Sequence, residues 1–91
     1  MKRPQKKKAV ALNYDPNQNQ APRVVAKGEG YIAEKIIEKA KVHDVMIYED
    51  KSLVQLLYQL ELNSQIPPEL YPIIAEVFAL VYQGEKMAKR G

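Results

Sequence analysis

The sequence predicts a small α/β domain, three strands with three helices packed around them, and three patterns predict it. Ala9 to Tyr14 alternates, placing Val10, Leu12 and Tyr14 on one face, which is the period of a half-buried strand. Val24-Val25-Ala26 is an apolar run of strand length, bounded by Pro22 and Gly28. Beyond Gly30, apolar residues recur at helical spacing in three successive stretches.

Each element follows in order. After the first strand, Asp15 to Gln20 is a polar loop opened by the turn signal Asp15-Pro16. The second strand is expected to be buried through Val24, Val25 and Ala26. Gly28 and Gly30 then form a turn, since glycine takes positive φ without steric cost. Helix one is expected over Tyr31 to Lys41, with Ile32, Ile36 and Ala40 on its inner face. Lys41 and His43 suit its C-terminal end. Val45-Met46-Ile47-Tyr48 reads as a third strand, so that strand, helix and strand make a right-handed βαβ crossover. Ser52-Leu53-Val54-Gln55 matches a capping box, with Ser52 as N-cap, and helix two turns Leu53, Leu56, Leu57 and Leu60 inward. Asn63-Ser64 breaks it. Pro67 and Pro68 suit the opening of helix three. Pro72 would clash deeper in a helix, so a separate first turn or a kink is expected before Ile73. Ile73, Ile74, Val77, Leu80 and Val81 form the final stripe, ending near Gly84.

Composition narrows the class of function. Ninety-one residues with 46% hydrophobic content make one small globular domain. With no cysteine there is no disulfide framework, thiolate nucleophile or zinc cluster. No apolar run reaches the roughly 18 residues that span a bilayer, and no apolar stretch follows the basic N-terminus as a secretory signal requires. Five of the 14 basic residues lie in the first eight positions. This divides the chain into a flexible basic tail over 1–8, a single domain over 9–84 and a basic C-terminal tail over 85–91. Neither basic cluster has interleaved aromatics for base stacking, so nucleic acid is not an expected partner.

No constellation of side chains promises catalysis, and the chain is read as a non-enzyme with neither metal nor cofactor. His43 is the only histidine and sits at a helix end, while the carboxylates are spread over helix surfaces. One motif offers an alternative. Gly28-x-Gly30-x-x-Ala33 follows a strand and opens a helix, as a dinucleotide fingerprint does, with Glu49 and Asp50 placed about 20 residues on for a ribose. Lys27 at the strand end and the room for only one βαβ unit weigh against it.

Several blocks of the sequence carry a resemblance. Ala9-Val10-Ala11-Leu12-Asn13-Tyr14-Asp15 and Ala21-Pro22-Arg23-Val24-Val25-Ala26-Lys27-Gly28 resemble the cytoplasmic C-terminal domain of the FlhB/YscU export-switch family. So do Leu53 to Tyr58, Ile66-Pro67-Pro68-Glu69-Leu70-Tyr71 and Ala75-Glu76-Val77. The resemblance implies a small central sheet of three to four strands surrounded by about three helices. It implies a cytoplasmic protein of flagellar or type III secretion export, peripheral at the export gate on the inner face of the membrane. The expected partners are export substrates, the hook-length control protein or export-gate components, bound by a monomer.

The family cleaves itself at an Asn-Pro-Thr-His motif before the first of these blocks. Here the corresponding positions are Pro4, Gln5, Lys6 and Lys7, so no asparagine can cyclise and self-cleavage is not expected. The family also receives short apolar export signals in a shallow pocket beside the Ala-Pro loop and the last helix. The matching positions are Ala21, Pro22, Ala75 and Phe78, with phenylalanine where leucine is common.

Overall fold

The structure, a computed structural model, describes residues 6–15, 17 and 21–90, with side chains followed to Val81. Its elements are β1 (Lys8–Asn13), β2 (Arg23–Glu29), α1 (Tyr31–Val42), α2 (Lys51–Tyr58), a 3-10 turn (Pro68–Leu70) and α3 (Tyr71–Arg90). The first five residues of the expected basic tail lie outside the described residues. Lys8, assigned to that tail, instead opens β1, where it pairs with Glu29.

β1 and β2 form a two-stranded antiparallel sheet. Directly opposed residues share a face, so Ala9 and Ala11 lie with Gly28 and Ala26, while Val10 and Leu12 lie with Lys27 and Val24. The first set is small, and α1 seats there through the fully buried Ala33. The second set meets α2 and α3 around Leu53, Leu57, Ile66 and Ile74, with Val10, Leu12, Leu60, Leu70, Val77 and Phe78 packed at the edges. The sheet is thus the middle layer of three.

A bulge at Ala11/Leu12 leaves Val25 without an opposite residue. It explains why Val25 is 42% exposed although the apolar run Val24-Val25-Ala26 reads as wholly buried. Gly28 is not a turn residue either. It sits inside β2, and a Cβ there would run into the Ile32 side chain, so glycine serves the close approach of α1. Of these two glycines, only Gly30 takes positive φ, at 62°, as the N-cap of α1, and its N–H donates to the Lys7 carbonyl at 2.7 Å.

The expected third strand does not form. Val45–Tyr48 belongs to no strand, and the sheet described has two strands rather than three or four. The reason lies in what occupies β2. One of its edges is taken by β1, and the start of the other, at Arg23 and Val24, is stitched to residues 63–66. Val24 N–H donates to Ser64 O at 2.9 Å, Asn63 N–H to Val24 O at 2.7 Å, and Arg23 bridges to Gln65. With the start of that edge occupied and Val45–Tyr48 in no strand, α1 is not a βαβ crossover, and the unit that the Gly28-x-Gly30-x-x-Ala33 fingerprint requires is not built.

The helices keep their expected places with shifted details. Asp50, not Ser52, caps α2, its Oδ1 accepting from Leu53 N–H at 3.0 Å. The extended backbone of Asp50 presents its carboxylate to the first turn, and Ser52 is already helical. On α2, Leu53 and Leu57 are buried, whereas Leu56 is 45% exposed; on α1, Ile32 is 53% exposed because Ala33 takes the contact with the sheet. The separate first turn before α3 is present as Pro68–Leu70, which leaves Pro72 in the first turn of α3, where an amide has no partner. α3 passes through Gly84 and continues to Arg90.

A candidate cleft for an apolar peptide

Lys27 fixes the far end of α2. Its Nζ donates to Tyr58 O at 3.0 Å and Leu60 O at 2.8 Å, and stands 5.3 Å from the centre of the Tyr58 ring. A cation on the terminal carbonyls of a helix is favoured by the helix dipole. The chain then turns at Asn63, whose φ is 70°, and Arg23 Nη1 donates to the Asn63 carbonyl at 2.7 Å. Ile66 N–H donates to Pro22 O at 2.9 Å. The residues before β2 are therefore tied directly to those before α3.

That tie creates a cavity of about 340 Å³. Ile66 and Ile74, at 2% and 3% exposure, form its floor. Ala21 and the buried Pro22 form one wall, and their small or rigid side chains leave the space unfilled. α3 supplies Tyr71, Ile74, Ala75 and Phe78, the i, i+3, i+4, i+7 set of one helical face. Tyr14, just past β1, closes the opposite side. Its ring lies 5.5 Å from that of Phe78, tilted by 35°, within the range of favourable aromatic pairs.

All four residues carried over from the resemblance line this one cavity. Ala21 and Phe78 are half-buried, Pro22 is buried and Ala75 is exposed. Ala75 therefore stands at the mouth and does not complete the core. Among the described residues, no charged side chain lines the cavity, so it suits an apolar group, with two tyrosines as side-chain polar handles. Tyr14, Ile66, Tyr71 and Ile74 were not singled out by sequence. Tyr14 reads there as a strand residue, and nothing in the spacing announces its meeting with Phe78.

Of the positions that replace the cleavage motif, Pro4 and Gln5 lie outside the described residues. Lys6 and Lys7 are exposed, next to Gly30. His43 is the exposed C-cap of α1, its N–H bonded to the Lys39 carbonyl at 3.0 Å.

Fold and cleft together define a small three-layered α/β domain with an apolar groove where its last helix meets the entry to its second strand. The chain belongs to the FlhB HrpN YscU SpaS family, whose model matches residues 6–81. It is 45% identical over 83 residues to YlqH of Bacillus subtilis, an uncharacterized protein, covering 91% of this chain and 89% of that one. It is 43% identical over 76 residues to the flagellar biosynthetic protein FlhB of Bacillus subtilis, and 47% over 76 residues to that of Salmonella typhimurium. Those two matches cover 82% of this chain but only 21% and 20% of the relatives, so the chain spans about a fifth of their length. Among the described residues, no helix is long and apolar enough to cross a membrane.

Proposed function

We propose that this chain is a binding module of flagellar or type III protein export, working in the cytoplasm, as a monomer, at or near the inner face of the export gate. Its cleft receives a short apolar segment of an export substrate, of the hook-length control protein or of an export-gate component. It performs no catalysis and does not cleave itself. The observation that carries this reading is the convergence of Ala21, Pro22, Ala75 and Phe78 on one open cavity, uncharged among the described residues, with Ala75 exposed at its mouth. Support for the process comes from the relatives, several of which are flagellar biosynthetic proteins. The absence of self-cleavage rests on Pro4 to Lys7, which offer no asparagine.

Co-purification tests the reading. The tagged full chain should bring down flagellar export proteins from a flagellated host, and a tagged chain carrying Ala75→Glu should lose them while keeping its helical circular dichroism. Equal recovery with both would place the interaction elsewhere on the surface.

A further inference from the structure

A second surface lies across α3 from the cleft. Residues 71, 74, 75 and 78 face the cleft, and residues 73, 76, 77 and 80 lie on roughly the opposite side at 3.6 residues per turn. There, Ile73, Glu76, Val77 and Leu80 face Tyr48 and Asp50 across a groove of about 380 Å³. Leading into it, Val45, Met46, Ile47 and Tyr48 are four successive large apolar residues, each 42–55% exposed, and Ile73 and Leu80 add 40% and 53%. Isolated exposed apolar residues are ordinary, but Tyr48, Ile73 and Leu80 share this one groove and Val45 to Ile47 adjoin it in sequence, which marks a contact surface.

The backbone says what kind of contact. Residues 45–50 run without helix, turn or bend, and Asp50 is extended at φ −159°, ψ 110°. Among the described residues, no backbone hydrogen bond involves Met46 to Glu49, although Val45 N–H donates to Ala40 O at 2.8 Å. An apolar segment outside helix and turn, whose backbone groups have no partner among the described residues, can accept another strand.

Charge selects the strand. The segment has Asp44 before it and Glu49, Asp50 and then Lys51 after it, all exposed, and among the described residues the groove is lined by the acidic Asp50 and Glu76 and by no basic residue. Among the described residues, none of these carboxylates is in an ion pair. A second copy pairing antiparallel about Met46–Ile47 would set Asp44 opposite Glu49 at both ends, and like charges directly opposed destabilise a sheet. We infer that Val45–Tyr48 and the adjoining groove of α3 form a second docking site, whose partner is an extended apolar segment of another protein flanked by lysine or arginine. This inference does not depend on what the cleft binds.

The test uses the full, isotopically labelled chain and two synthetic octapeptides of alternating valine and threonine, one flanked by lysines and the other by glutamates. The lysine peptide should slow amide exchange within Met46–Glu49 and bind at least ten-fold more tightly than the glutamate peptide, with affinity falling as salt is raised. Glu76→Lys, a change at an exposed position, should weaken the lysine peptide several-fold without lowering the melting temperature. Ile47→Pro, which removes an edge donor, should abolish protection. Equal binding of the two peptides, shifts confined to the residues around Phe78, or no protection would overturn the inference. So would protection of these amides without peptide in a sample that sediments as a dimer, since the occupant would then be a second copy.

Discussion

At the residue scale, two positions hold the layers together and both are open to test. Gly28 lets α1 lie against β2, because any Cβ there meets Ile32. Gly28→Ala should destabilise the fold by about 1–3 kcal/mol, the cost of overpacking a tight contact, read from the midpoint of urea unfolding. An unchanged midpoint would mean that α1 moves away from β2 at no cost, since the contact includes the Cβ of Ile32 and not only the end of its side chain. Lys27 matters through its two carbonyl acceptors at the end of α2. Lys27→Met retains much of the aliphatic stem and removes both hydrogen bonds. A loss of about 1–3 kcal/mol is expected from stranding partly buried acceptors, with faster amide exchange in the last turn of α2 as its local signature. The surface pair Lys8–Glu29, at 3.8 Å and partly exposed, should contribute little by comparison.

At the element scale, the start of α2 separates two readings of the same stretch. Sequence spacing nominates Ser52 as the cap, and the structure gives the role to Asp50. Asp50→Ala should cost about 0.5–2 kcal/mol, whereas Ser52→Ala should stay within about 0.5 kcal/mol; the reverse order in thermal unfolding would restore the capping box. Much of the element order was legible because it rests on local signals: alternation in β1, the apolar run of β2, helical spacing in α1 to α3 and proline chemistry before α3. What was not legible depended on partners distant in sequence. Val45–Tyr48 has strand composition, but residues 63–66 occupy the start of the β2 edge that a βαβ crossover could have used. Likewise, Leu56 fits the helical stripe of α2 and is nevertheless outside, because Leu53 and Leu57 suffice to meet the core.

At the scale of the whole molecule, two chain segments that frame the polar loop, ending at Tyr14 and beginning at Ala21, meet the last helix to form the cleft. Ala21, Pro22, Ala75 and Phe78 were legible only through the family's motif. Their small or rigid side chains explain why space remains, but not that they meet. Tyr14, Ile66, Tyr71 and Ile74 required the fold. A chain that binds without cutting itself should keep its intact mass after prolonged incubation at neutral and alkaline pH; a break within residues 4–8 would contradict that. The most direct test of the account is titration of the labelled full chain with an apolar peptide from a flagellar export substrate, repeated with Ala75→Glu. Shifts should centre on Ala21, Phe78 and Tyr14, and the variant should stay folded and bind at least ten-fold more weakly, about 1.4 kcal/mol. A folded variant that binds as well as the parent, or shifts that avoid the cleft, would contradict it.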